Sequence, residues 1–142
     1  MDRTRKVQVV VYAMNTDPEF LVLKTIPKEE SFWQNVTGAM EDGETPEDAA
    51  YRELKEETGI GRNMILEFSR LFSFKYRDRR NMEVEETVFS AKVRKGTTVD
   101  ITKNVYPEHE TFRWCSATAA EEMMKWETNS SAVRAVMEKL GK

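Results

Sequence analysis

A chain of 142 residues is long enough for one domain with one sizeable core. Its 22 basic and 25 acidic side chains leave a net charge of −3, which argues against a general nucleic-acid coat, and no apolar run approaches the ~20 residues of a membrane-spanning helix. The single Cys115 cannot close an internal disulfide and MDRTRKVQ carries no apolar signal core, so a reducing, cytoplasmic setting is expected.

Residues 7–14, VQVVVYAM, are short and β-branched and predict a buried strand. NTDPE predicts a turn, and FLVLKT, residues 20–25, a second strand. FWQNVTG, residues 32–38, predicts a third strand ending at Gly38, with EDGETP as a loop. Thr45 is placed to cap the next helix, with Pro46 at its first position and Asp48 completing a capping-box-like arrangement. That helix runs through Thr58 and stops at Gly59. ILEFSRLFSFKYR and EVEETVFSAKV predict two long strands joined by the charged DRRNM. ETFRWC predicts another strand, Ser116 or Thr118 starts an amphipathic helix reaching Trp126, and Asn129 caps a last helix over SSAVRAVMEKL. With no repeat or linker, these elements predict one α/β (α+β) domain over residues 1–142, a mixed β-sheet sandwiched between α-helices.

The helix after Thr45 carries Glu53, Glu56 and Glu57, although like charges three and four residues apart repel. At about 100° per residue the three fall within an arc of about 100°, beside Ala50, Tyr51 and Leu54, while Lys55 points the other way. Arg52, one turn before Glu56, is placed to pair with it. Hard carboxylate oxygens on one rigid face suit Mg²⁺, with Mn²⁺ as the alternative, and Mg²⁺ commonly serves phosphate chemistry. An ordinary Glu-rich surface helix has the same pattern, so the helix alone leaves both readings open.

The wider spacing separates them. Gly38, five residues, Glu44, seven residues, then Arg52-Glu53-Leu54-Lys55-Glu56-Glu57-Thr58-Gly59-Ile60 resembles a complete Nudix box. At typical residue usage its seven fixed positions would match by chance on the order of 10⁻⁸ per start position. The resemblance implies the Nudix fold and hydrolysis of a nucleoside diphosphate linked to another moiety. Within it, Gly38 is expected to turn the chain with its carbonyl toward the metal, and Glu44 to brace the loop through Arg52. Glu53, Glu56 and Glu57 are the metal ligands, with Glu56, Glu57 and Arg52 in the catalytic set and the base role open among the glutamates. VVVYA, FWQNVTGAMEDGET, PEHETFRW and TAAEE, with Trp126 and Asn129, resemble one branch of the family, the bacterial dihydroneopterin triphosphate pyrophosphatases. That likeness implies a further metal ligand at Glu108 and substrate contact at Thr37. Lys24-Thr25 stands where a basic pair is expected, the Trp-to-Asn spacing is one residue longer, and Lys125 replaces a small polar residue.

Other residues divide between chemistry and packing. Phe32 and Trp33 point to opposite faces of a strand, so one is core, and Trp33 is the candidate stacking residue. Lys24 is a candidate substrate contact. His109 is read as structural beside Glu108, Arg79 and Arg80 as a solvated turn, and Met123, Met124, Met137 and Trp126 as core. The expected activity is a Mg²⁺-dependent pyrophosphohydrolase cleaving a nucleoside or pterin triphosphate to a monophosphate and pyrophosphate. Its partner is that small molecule, with no nucleic acid and no membrane, and a homodimer stays open. The alternatives are an oxidised dNTP, a dinucleoside polyphosphate or a nucleotide sugar as substrate, or a non-catalytic nucleotide sensor. The intact carboxylate set argues against the sensor.

Overall fold

Alternation of side chains along the first strand, β1 (Arg3–Met14), sets the layers. Val7, Val9 and Val11 pack into one core with Ala49, Ala50 and Leu54, while Val10 and Tyr12 pack into another with Ala132, Val133 and Val136. A computed structural model describes residues 3–27 and 30–142. After β1 come β2 (Pro18–Thr25), β3 (Trp33–Gln34), β4 (Val36–Ala39) and helix α1 (Pro46–Thr58). A 3₁₀ turn over Arg62–Met64 leads into β5 (Ile65–Arg77), followed by β6 (Glu83–Val93), β7 (His109–Cys115), α2 (Ala117–Met123) and α3 (Glu127–Lys139). The seven strands form one mixed sheet, with α1 on one face and α2 and α3 on the other. This is the sandwiched α+β arrangement expected from the sequence. No helix among the described residues is long and apolar enough to cross a membrane.

β1 runs parallel to β6 along Arg3–Ala13, and β5 closes that side antiparallel to β6. On its other side β1 meets two strands in turn. Val11–Met14 pair with β2, and Lys6–Val9 pair with β4. β2 pairs β7 along one edge and, past β1, takes β3 at Leu23 and Lys24. β1 and β2 therefore splay apart, and the gap between them is filled by β3 and β4.

The single strand expected over residues 32–38 is thus two short ones, divided at Asn35. The cause lies far away in the chain. The Asn35 amide donates to Asn129 Oδ1 at 2.8 Å, and its side-chain nitrogen donates to Gln8 Oε1 at 2.8 Å. Gln8 in turn donates to Glu86 Oε2 at 2.8 Å, so the break is held by a buried polar chain running across the sheet. Asn129 is spent on that break and does not cap its own helix; α3 begins earlier, with Trp126 at the N-cap position. Ser116 caps α2 as expected, accepting from the Ala119 amide at 3.2 Å, but the helix ends at Met123 short of Trp126.

Candidate active site

α1 is fixed at both ends. Thr45 Oγ1 accepts from the Asp48 amide at 3.1 Å, and Gly59 ends the helix at φ 77°, where a side chain would be strained. Asp48 does not return the capping bond, since its carboxylate pairs with Arg62 at 2.8 Å. Between these ends Leu54 and Glu57 turn inward, the Glu53 side chain is 12% exposed, and that of Glu56 is 45% exposed. The three carboxylates therefore sit in graded depth along the edge of the buried face.

Arg52 binds this edge to the loop before the helix. Its Nε donates to Glu44 Oε2 at 2.7 Å and its Nη2 to Glu44 Oε1 at 2.9 Å, a bidentate fork. The same Nη2 reaches the Ala39 carbonyl at 2.9 Å. Nη1 donates to Glu53 Oε1 at 2.9 Å and Glu56 Oε2 at 3.2 Å. Hydrogen bonding from Arg52 holds the Glu44 carboxyl below its usual range. The one guanidinium thus hydrogen-bonds three carboxylates, adding Glu53 to the Glu44 and Glu56 partners expected.

Gly38 lies inside β4, opposite Val7, and makes no turn there. A Cβ at this position would stand 2.1 Å from the Glu53 carboxyl carbon, so the glycine is required by the close approach of Glu53 to the strand. The positive φ of the loop falls at Gly43 instead. Thr37 Oγ1 donates to the Val7 carbonyl at 3.1 Å, inside the sheet.

Glu57 is the deepest of the set, 2% exposed, and among the described residues neither carboxylate oxygen has a partner within hydrogen-bond geometry. Burial, then the neighbouring Glu53 carboxylate and the Glu108 charge, push its pKa well up, with the Thr37 backbone amide acting the other way. Across from it His109 Nδ1 stands 3.6 Å from Oε1, and burial lowers the His109 pKa to about 4. Among the described residues, no three acidic, imidazole or thiol groups are already gathered around one point as a metal cage. Two of the carboxylates are instead drawn onto Arg52. The donor set nonetheless fits a hard divalent cation: an orphaned buried carboxylate, two more within one helical turn, and a glycine leaving room beside them.

A cavity of about 500 Å³ opens over Glu108, with Thr25, Phe32, Arg79, Lys125 and Trp126 also in its wall. Phe32 and Trp126 meet edge to face, centroids 6.0 Å apart, and Lys125 Nζ lies 5.2 Å and 4.8 Å from their ring centres. Lys125 also pairs with Glu30. Trp126 is therefore a wall of the cavity, 47% exposed, and not core. Trp33 packs against the α2–α3 core with Arg113 over its ring, so Phe32 takes the cavity-facing place expected of its neighbour. Lys24 pairs with Glu110 at 3.2 Å, and Thr25, not Lys24, lines the cavity. Arg79 joins the wall although it was read as a solvated turn. A larger cavity of about 880 Å³ is lined by Arg52, Lys55 and Glu56 of α1 together with Arg62 and Lys103. Neither cavity has Glu53 or Glu57 in its wall, and the smaller one joins aromatic faces and cations to the carboxylate of Glu108.

A family model described as NUDIX domain matches residues 3–136. The dihydroneopterin triphosphate diphosphatase of Haemophilus influenzae is 31% identical over 141 residues, covering 92% of this chain and 85% of that protein. The enzyme of that name from Escherichia coli K12 is 30% identical, covering 92% and 90%. The solved structure of the E. coli dihydroneopterin triphosphate pyrophosphohydrolase superposes with a TM-score of 0.76 at 27% identity, over 91% of each chain. A Caenorhabditis elegans Ap4A hydrolase complex superposes with a TM-score of 0.80 at 21% identity, covering 97% of this chain and 98% of that one, a likeness of fold alone.

Proposed function

The chain belongs to the Nudix family, and from that premise we propose that it cleaves dihydroneopterin triphosphate, or a closely similar nucleoside triphosphate, to the monophosphate and pyrophosphate. Residues 1–142 act as one Nudix unit in this reading. The observation that carries it is the buried, partnerless carboxylate of Glu57 beside Glu53, with Glu108 at the wall of an aromatic and cationic cavity. A carboxylate at this depth without a protein partner is suited to meet a bound cation.

Glu53, Glu56, Glu57 and Glu108 would hold Mg²⁺, or Mn²⁺ in its place, with the Gly38 carbonyl as a further oxygen. When bound, the ion cancels phosphate charge and acidifies water. Glu56 and Glu57 share the remaining task of taking the proton from the attacking water as oxygen closes on phosphorus and the bridging oxygen departs with pyrophosphate. Arg52 keeps the glutamate edge in place through Glu44 and the Ala39 carbonyl. Lys125 and Arg79 face the cavity with charge suited to a triphosphate, and Phe32 and Trp126 offer faces to a flat ring. Thr37 contributes through its backbone beside Glu57; Lys24 and Trp33 act only at the margin.

The test is a hydrolysis screen with Mg²⁺ over dihydroneopterin triphosphate, the common and oxidised dNTPs, a dinucleoside polyphosphate and a nucleotide sugar. The pterin triphosphate is expected to show the highest kcat/KM. A higher value for a dinucleoside polyphosphate or a nucleotide sugar would overturn the substrate assignment.

A further inference from the structure

What stands beside Glu57 comes from two other elements. Gln34 ends β3 and His109 opens β7, and both strands pair with β2, on opposite edges, at Leu23 and Thr25. The two side chains meet beneath the carboxylate, 9% and 4% exposed. Gln34 Nε2 stands 2.9 Å from His109 Nε2, and the other ring nitrogen, Nδ1, faces Glu57 Oε1 at 3.6 Å.

With the Gln34 amide in this orientation its nitrogen has only hydrogens to offer, and His109 Nε2 receives with its lone pair. A neutral imidazole then carries its one hydrogen on Nδ1. That N–H is aimed at the only carboxylate of the α1 set without a hydrogen-bond partner, and a shift of about half an ångström would close the bond. With the opposite tautomer, a ring lone pair would face a carboxylate oxygen. A histidine serving only as packing would be indifferent to which nitrogen holds the proton.

We propose that Gln34 and His109 are positioning residues for Glu57: Gln34 locks the imidazole as the Nδ1–H tautomer, and that N–H fixes one Glu57 oxygen so that the other is presented to the site. The role of Glu57 in this statement rests on the Nudix reading given above; the tautomer does not.

His109 is the sole histidine in the chain, so ¹⁵N-labelled histidine gives one pair of ring-nitrogen signals, told apart by their couplings to the two ring C–H protons. In the metal-free protein near pH 7 the Nδ1 signal is expected to be protonated and the Nε2 signal bare. Gln34→Leu should release the lock and move the population toward Nε2–H. A wild-type ring protonated at Nε2, an averaged mixture, or no change in Gln34→Leu would overturn the proposal. A second measurement follows Mn²⁺ binding by electron paramagnetic resonance. His109→Leu should weaken it by about 10-fold and lower kcat by roughly 10–100-fold with KM changed by less than about twofold. His109→Asn, whose amide restores an N–H near the Nδ1 position, should recover most of both. Equal loss in the two variants would reduce His109 to packing. If His109→Leu fails to fold, the wild-type and Gln34→Leu spectra decide. The predicted tautomer in a protein that hydrolyses none of the triphosphates would leave the positioning pair standing and remove the functional reading.

Discussion

Leaving a buried acceptor unpaired costs roughly 1–3 kcal/mol, more when it is charged, and Glu57 carries that cost on the inner face of α1. Glu57→Gln is therefore expected to act in opposite directions on stability and on catalysis. In metal-free protein above neutral pH its melting temperature should exceed wild type by a few degrees. The sign follows from the raised folded-state pKa. The folded protein resists ionising this group, so the penalty is full above that pKa and fades as pH falls into the ordinary carboxylate range. The advantage of the variant should shrink over the same interval. Its kcat should fall by a factor on the order of 10³, since ligand and proton acceptor go together. Differential scanning calorimetry across pH and steady-state kinetics check both halves; near wild-type turnover would remove Glu57 from the site. Spacing alone made Glu53, Glu56 and Glu57 legible as a set, because helical periodicity is local. It could not show that Glu57 lies partnerless, or that Gly38 is there for Glu53 and not for a turn, because both depend on how closely strand and helix approach.

At the scale of elements, the loop–helix brace is the feature that sequence and structure share most fully. Arg52 grips Glu44 through two nitrogens and also donates to Glu53 and Glu56. Glu44→Gln should lower the melting temperature by a few degrees and cost far less activity than Glu57→Gln. Because Arg52 depresses the Glu44 pKa, the wild-type pair contributes fully above the unfolded value and is lost as pH falls through the folded one. That part of the acid dependence should be missing from the variant. A Glu44→Gln protein as inactive as Glu57→Gln with unchanged melting would contradict the brace. β5 and β6 were legible end to end, since each is a long stretch rich in β-branched and aromatic residues with a charged turn between them. The break at Asn35 was not, because the group that causes it, Asn129, lies 94 residues away. The start of α3 was misplaced for the same reason: the residue that resembles its cap is engaged elsewhere.

For the whole molecule, the splay of β1 and β2 decides where the site can be. Filling that gap with β3 and β4 brings Gln34, Thr37 and Gly38 up to the inner edge of α1. The β2–β7 pairing brings Glu108 and His109 over the same point, since the Ile26 amide donates to the Glu108 carbonyl at 2.9 Å. Glu108→Ala should therefore lower kcat by roughly 10–100-fold while weak metal binding by the free protein changes less. Glu110→Ala is the control, its carboxylate turned away to Lys24. An inactive Glu110→Ala beside an active Glu108→Ala would show the loop to be assigned two residues out of register. The box could be read from the sequence, but the cavity wall could not, because Thr25, Arg79 and the Lys125-Trp126 pair come from three separate stretches of chain.

Product analysis with dihydroneopterin triphosphate probes the proposed chemistry most directly. Reaction in ¹⁸O-labelled water with Mg²⁺, separated and weighed by mass spectrometry, should yield pterin monophosphate and pyrophosphate in equal amounts, with the label in the monophosphate, and no turnover once the metal is chelated. Release of orthophosphate in place of pyrophosphate, or undiminished turnover in excess chelator, would contradict a metal-dependent pyrophosphohydrolase built on the α1 carboxylates.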